Sequence, residues 1–234
     1  MWIFSRHTRR SSKGCTRHNA GFTLIEMLVV MLIMMLITTA LLVRQSRFDS
    51  STVLRSLAYG VALSVRQAQV YGTSVVGTTT ASQATCSGYY NTVTSYCYAS
   101  AYGLYFSNAL SSATPSTYVL FADLNGDGKY QTNEFVKSFS LGTGYTISKF
   151  CATNQVATQQ CSNTTISSLT ILFKRPNPDA QFLALDGSGN AIVGDTSYSS
   201  AYVQIESIAD PTNNKSVSIT VPGEVSVCVT GSTC

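Results

Sequence analysis

The sequence predicts an α+β protein in which one long N-terminal helix carries a C-terminal head of antiparallel β-sheet. Two observations lead there. Residues 22–43 are apolar almost throughout, and helical spacing of apolar residues resumes beyond them as far as Gly72. After Gly72 the pattern changes to short β-branched and aromatic runs separated by Ser, Thr, Gly, Asn and Pro clusters. A chain of 234 residues is long enough for one domain with its own core plus an appendage.

The first 21 residues contain Arg6, Arg9, Arg10, Lys13 and Arg17 and no acid, whereas the whole chain carries a formal charge of only +4. From residue 73 onward there are 6 Lys+Arg against 9 Asp+Glu, so the head stands at −3. The basicity belongs to the leader and is no footprint of nucleic-acid binding, which needs clustered cations to neutralise phosphates. Both histidines, His7 and His18, also lie in the leader. A chain shortened to its apolar segment therefore has no imidazole for a Ser-His-Asp triad, a Cys-His pair or a His-ligated metal. No enzyme is expected.

Residues 22–43 span about 33 Å at a rise of roughly 1.5 Å per residue, enough for a bilayer core of about 30 Å. An ordinary secretory signal has a shorter apolar region, of about 7–15 residues, followed by a small-residue cleavage site, and neither feature is present. Cations ahead of the span predict a cytoplasmic N-terminus with everything after Val43 outside. Glu26 breaks the apolar run near its start. A carboxylate at membrane depth costs at least about 2–3 kcal/mol unless a partner or the interface relieves it.

Gly21-Phe22-Thr23-Leu24-Ile25-Glu26 behind a basic leader resembles the processing site of type IV prepilins and type II secretion pseudopilins. The resemblance implies a prepilin peptidase that cuts between Gly21 and Phe22 and methylates the new amine. It implies that Glu26 pairs with the N-terminal amine of an adjacent subunit, each charge offsetting part of the other's desolvation cost. It also implies the pilin fold, other pilin or pseudopilin subunits and an inner-membrane assembly platform as partners, and a filament outside the cytoplasmic membrane. Many members carry a proline near the end of the apolar run. Here Val43 stands at that place and the first proline is Pro115, so a softened helix segment is not carried over.

Leu54, Leu57, Val61, Val65 and Ala68 recur at helical spacing, and Gly72 is placed to stop the helix. One helix is expected over residues 22–71. This segment, with Arg66-Gln67-Ala68-Gln69-Val70-Tyr71-Gly72, is also similar to minor pilins and pseudopilins of the GspH/FimT kind. The expected organisation is a leader (1–21), a membrane or filament-core half-helix (22–43), an amphipathic half-helix (44–72) and a β-rich head (73–234). Strands are expected at 74–78, 102–106, 118–122, 134–140, 169–173, 182–185, 201–205, 216–221 and 224–229. Pro222-Gly223 joins the last two as a hairpin.

Of seven cysteines, Cys15 lies in the leader, which leaves an even six in a weakly charged, Ser/Thr-rich head. That pattern predicts disulfides made in an oxidising compartment. Spacing points to three local loops, Cys86 with Cys97, Cys151 with Cys161, and Cys228 with Cys234, out of the fifteen connectivities that six cysteines allow.

Asp123-Leu124-Asn125-Gly126-Asp127-Gly128, with Glu134 six residues on, fits a twelve-residue Ca2+ loop. Asp123, Asn125 and Asp127 would offer side-chain oxygens, Lys129 its carbonyl, and Glu134 both carboxylate oxygens. The same Asn, Asp and Gly residues also build a tight β-hairpin with no ion, because the flanks read as strands rather than helices. Both readings stand at the level of sequence. The tyrosines Tyr89, Tyr90, Tyr96, Tyr98, Tyr102 and Tyr105 crowd one region, as in an adhesive patch or in half-buried strands. The leading functional reading is a minor pilin or pseudopilin. A major pilin, an adhesin and a DNA-capturing competence pilin are the alternatives, the last opposed by the acidic head.

Overall fold

The computed structural model describes residues 21–79, 86, 88–98, 101–110, 115–192 and 198–228. Among the described residues one α-helix, α1 (Leu24–Thr73), is followed by thirteen strands. The chain divides into two compact units, residues 1–46 and 47–234, and α1 contributes to both.

In the first unit the helical stretch Leu24–Leu42 is long and apolar enough to cross a membrane, and none of it is buried. Two hydroxyls sit within this stretch, and both are satisfied by the helix itself. Thr38 donates to the carbonyls of Met34 (2.9 Å) and Met35 (3.1 Å), and Thr39 donates to that of Met35 (2.7 Å). Such back-bonding is how Ser and Thr are tolerated in an apolar helix.

The second unit is built on three antiparallel sheets. A small one orders β1 (Thr78–Thr79), β3 (Tyr96–Tyr98) and β2 (Tyr89–Asn91). The first large sheet orders β10 (Ala180–Leu185), β9 (Ser168–Phe173), β4 (Ala101–Ser107), β5 (Thr117–Asp123) and β6 (Phe135–Ser140). The second orders β13 (Val225–Cys228), β12 (Asn214–Thr220), β11 (Tyr198–Ser207), β7 (Tyr145–Asn154) and β8 (Gln159–Cys161).

One core joins the helix to both large sheets. Leu54, Ala58, Val61, Val65 and Ala68 form the buried stripe of α1, so Ala58 takes the fully buried place expected of Leu57, which lies at the margin. Against them pack Leu104, Leu120, Ile171 and Phe173 of the first sheet and Phe150, Val203, Ile205 and Val217 of the second. Tyr118 is stacked between Phe106 (5.2 Å) and Phe139 (5.0 Å) and shares a hydrogen bond with Ser64 Oγ of the helix (2.9 Å). The polar atom of this buried ring is thereby satisfied.

The expected strands 102–106, 118–122, 169–173, 182–185, 201–205 and 216–221 all fall on observed strands, and the 222–223 turn does join β12 to β13. Residues 74–78 form mostly turn and irregular chain, with pairing only from Thr78. Strands β2, β3, β7 and β8 run through stretches where no strand was expected. The physical reason is clearest in β7. Lys149 pairs with Gln204 and Ile147 with Ile205, so Ser148 is an extra residue in the ladder. That bulge places inward-facing Ile147 and Phe150 three residues apart, which hides the alternation by which a strand is recognised.

Gly72 does not stop the helix. It lies within the last turn with no left-handed φ, and a Cβ there would strike the Phe173 carbonyl oxygen. Its role is close approach of the helix end to β9. At the β12–β13 turn, Gly223 has φ 80°, and a Cβ would strike the Gln69 side-chain amide and meet the Pro178 carbonyl oxygen at 2.7 Å. Arg66 donates to the Gly223 carbonyl (3.1 Å) and Gln69 to that of Pro178 (3.1 Å), so polar residues beside the buried stripe hold the hairpin tip. Gly72→Ala should destabilise the folded chain by about 1–3 kcal/mol, as overpacking against backbone does. Denaturant unfolding of the detergent-solubilised chain measures this, with Gly60→Ala, where a Cβ meets nothing and the helix should gain about 0.5–1 kcal/mol, as the comparison without a clash.

Candidate functional site

Two regions hold the residues that the sequence singles out. In the first, Gly21, Phe22 and Thr23 precede α1 and are exposed. Thr23 caps the helix. Its carbonyl accepts the N–H groups of Glu26 (3.1 Å) and Met27 (3.2 Å), and its hydroxyl accepts that of Glu26 (3.3 Å). Thr23 and Glu26 stand at the spacing of a capping box, and a carboxylate in the first helical turn also complements the helix dipole. Thr23 supplies the cap through its hydroxyl and carbonyl, and the Glu26 carboxylate contributes to the helix start through its place in the first turn. The leader cations, His7, His18 and Cys15 lie outside the described residues.

On both sides of Glu26 the helix presents an apolar surface with no cover of its own. Leu24, Ile25, Met31 and Met35 are each 70% exposed or more. At about 25 cal/mol per Å2, so much apolar surface cannot remain in water, and it needs lipid or other protein around it.

The second region is the 123–134 loop between β5 and β6, which lies on the face of the first sheet turned away from the main core. Asp123 Oδ1 accepts the Gly126 N–H (2.7 Å) and Oδ2 that of Gly128 (3.1 Å). Asn125 Oδ1 accepts the Asp127 N–H (3.0 Å), and Asp127 Oδ1 that of Lys129 (2.8 Å). Asp127 Oδ2 accepts from the side-chain amides of Asn125 and Gln131, both at 3.0 Å. Glu134 Oε1 accepts the Leu124 N–H (2.9 Å) and Oε2 that of Gln131 (3.0 Å), closing a capping box on a single turn of 3-10 helix. Lys129 points its ammonium at the Gly189 carbonyl oxygen (3.0 Å) in the β10–β11 connection. Among the described residues no group of three or more His, Cys, Asp or Glu is gathered closely enough to hold a metal ion.

The loop also acts as a cover. Tyr130 packs on Tyr105 (5.0 Å) and Phe121 (5.7 Å), over a second apolar cluster of Ala101, Val119, Phe121 and Leu172. Both faces of β5 and β9 are consequently buried, which is why their sequences read as nearly continuous apolar runs. Nothing in the sequence marked Tyr130 for this role. The six tyrosines of the tyrosine-rich segment are divided among three places, with Tyr89 and Tyr90 in β2 of the small sheet, paired with β3. Tyr102 is buried against Tyr71, Tyr105 lies under the loop, and Tyr96 and Tyr98 belong to β3 of the small sheet.

Disulfides join Cys86–Cys97 and Cys151–Cys161. The second links directly opposed positions of β7 and β8. Cys228 is also disulfide-bonded, and Cys234, its expected partner, lies outside the described residues.

Asp123 is 3% exposed and Glu134 fully buried. Burial raises the proton affinity of both above the ordinary carboxylate range, against the lowering effect of their backbone N–H donors; Asp127 adds repulsion at Asp123, and Asp123 at Glu134. Because the folded values are raised, the stability these two groups contribute is full below the ordinary range and is lost as pH rises through the raised ones. A carbon-detected NMR titration should find both carboxyls titrating above exposed reference carboxylates. Asp186, held low by the N–H groups of Asn190 and Ser188, should titrate below them.

A family model described as the prokaryotic N-terminal methylation motif matches residues 16–42, which takes in the Gly21–Glu26 geometry and the uncovered span. Comparison with curated proteins and with solved structures returned no match. The motif implies processing by a prepilin peptidase and assembly with other subunits, in a family that is structural rather than enzymatic. The chain therefore carries, at residues 16–42, the prokaryotic N-terminal methylation motif, the maturation segment of type IV pilins and pseudopilins.

Proposed function

We propose that this chain is a minor pilin or pseudopilin of a type IV pilus or type II secretion-type filament. Prepilin peptidase cuts between Gly21 and Phe22 and methylates the Phe22 amine. The subunit waits as a single-pass protein of the cytoplasmic membrane, its N-terminus in the cytoplasm and its 73–234 head outside. An inner-membrane platform then stacks it by residues 22–43, with Glu26 paired to a neighbour's amine. The observation that carries this reading is the coincidence of the matched 16–42 motif with an apolar helix that is entirely uncovered. The similarity of residues 54–72 to GspH/FimT-type subunits supports the minor role. A head at −3 speaks against DNA capture.

N-terminal sequencing and intact mass of the native protein should find a chain that begins at methylated Phe22. Glu26→Val should still be cleaved but should remain in the membrane fraction and be absent from sheared filaments. Retention of the first 21 residues, or loss of the whole apolar span to ordinary signal peptidase, overturns the assignment.

For the 123–134 loop we propose that its own hydrogen bonds suffice, since each carboxylate oxygen already accepts an N–H. Millimolar Ca2+ should then leave the melting temperature of the detergent-solubilised chain where it stands in EDTA. A rise with Ca2+ that is lost in Asp127→Ala would instead place the ion among Asp123, Asn125, Asp127, Lys129 and Glu134, as a brace for the head.

A further inference from the structure

The small sheet of β1, β3 and β2 has two faces of opposite character. On one face stand Thr78 and the directly opposed Cys97. Thr78 Oγ1 shares a hydrogen bond with the hydroxyl of buried Tyr102, and Cys97 is fully buried, so this face is turned to the rest of the head. Side chains alternate along a strand, which puts Gly77, Thr79, Tyr96 and Tyr98 on the other face. There the rings of Tyr96 and Tyr98 stand 6.2 Å apart and 34° from parallel. Both lie across Gly77, where a Cβ would meet Tyr98 Cε1 at 2.7 Å and Tyr96 Cδ1 at 3.0 Å. Only the bare backbone of a glycine leaves the two rings room to lie there.

Strand pairing places Asn91 of β2 on one side of Tyr96 and Thr79 of β1 on the other, in one row across the sheet. Tyr96 is 37% exposed, and Thr79 is exposed beside it. Asn91 Oδ1 accepts the N–H groups of Val93 (2.9 Å) and Thr94 (3.2 Å), so the β2–β3 turn holds that side chain in place. The Cys86–Cys97 bridge ties the middle strand to the chain ahead of β2. The row is thus built on a braced support.

Its surroundings select the ligand. Residues 67–122 contain no Asp, Glu, Lys, Arg or His, in a chain that is 11% charged. A charged ligand would lose its hydration here with no counter-charge in return. A purely apolar partner would cover Asn91 and Thr79 without pairing them, which also costs free energy. A neutral sugar meets both conditions. The apolar C–H face of a pyranose ring stacks on the negative π-face of a tyrosine, while its hydroxyls exchange hydrogen bonds with amide and hydroxyl groups at the ring's edge.

We propose that this outer face, centred on Tyr96 between Asn91 and Thr79, is a binding site for neutral hexopyranosyl glycans. The site lies wholly within the head and stands apart from the maturation and assembly reading of residues 16–42.

Saturation-transfer NMR on the full chain in dodecylphosphocholine, a detergent without a sugar headgroup, tests it. The probes are cellohexaose, maltohexaose, mannohexaose and chitohexaose, with hexagalacturonate as the anionic counterpart. At least one neutral hexasaccharide should receive saturation on its ring C–H protons, with an apparent Kd of about 1 mM, and hexagalacturonate should receive none. Tyr96→Ala should weaken binding at least about tenfold, as loss of an aromatic stacking partner does. Tyr96→Thr, which keeps a strand-forming residue at this position, should do the same, and Thr79→Ala should weaken binding severalfold. Tyr59→Ala, which removes another exposed tyrosine, should leave it unchanged. The proposal is overturned if none of the four neutral probes is saturated, if hexagalacturonate binds more tightly than all of them, or if a folded Tyr96→Thr or Thr79→Ala chain binds as Tyr59→Ala does.

Discussion

Five side chains on one stripe of α1, those of Leu54, Ala58, Val61, Val65 and Ala68, are the contact to which both large sheets are fastened. Each sheet presents an apolar face, and neither could keep that face from water without the helix against it. Three of the five are β-branched or long, and two are alanines. The alanines let the helix sit close to the sheets, while the longer chains interlock with Phe150, Phe173 and Val203. Gly72 extends the same logic at the end of the helix, where even a methyl group would strike the Phe173 carbonyl.

The same helix sets a second and opposite condition in its first half. There no residue of the span is buried, and Thr38 and Thr39 spend their hydroxyls on their own helix. A segment arranged in this way has settled its backbone and hydroxyl hydrogen bonding and left only apolar contact to be found elsewhere. Such a segment meets the condition for burial in lipid or among other apolar helices. Glu26 is the exception at its start, an ionisable group whose backbone N–H is already capped by Thr23.

The acidic loop shows how one composition serves two ends. Asp, Asn and Gly at alternate positions supply oxygen ligands for an ion, and they equally supply side-chain acceptors for the backbone N–H groups of a tight turn. In the fold the turn takes them all, with Lys129 tied to the adjacent connection and Tyr130 laid across the outer face of the first sheet. The cost is two buried carboxylates with raised proton affinity, held by Leu124, Gly126, Gly128 and Gln131 N–H groups rather than by a cationic side chain.

By itself the sequence determined whatever depends on local order. The basic stretch before Gly21, the Gly21-Phe22 pair with its offset Glu26, the apolar span, the helical stripe and six of the longer strands could be read because charge, length and periodicity are properties of neighbouring residues. The tertiary structure decided what depends on partners distant in sequence. The bulge at Ser148 removed the alternation that would have announced β7, while short β8 exists because the longer β7 pairs with it and β2 and β3 because they pair with each other. Gly72 proved to be a contact rather than a stop because Phe173 lies against it, about a hundred residues away in the chain. Whether Asp123 and Glu134 face an ion or a backbone N–H depends on burial and on the direction of each lone pair. Neither exists until the loop has closed over the sheet.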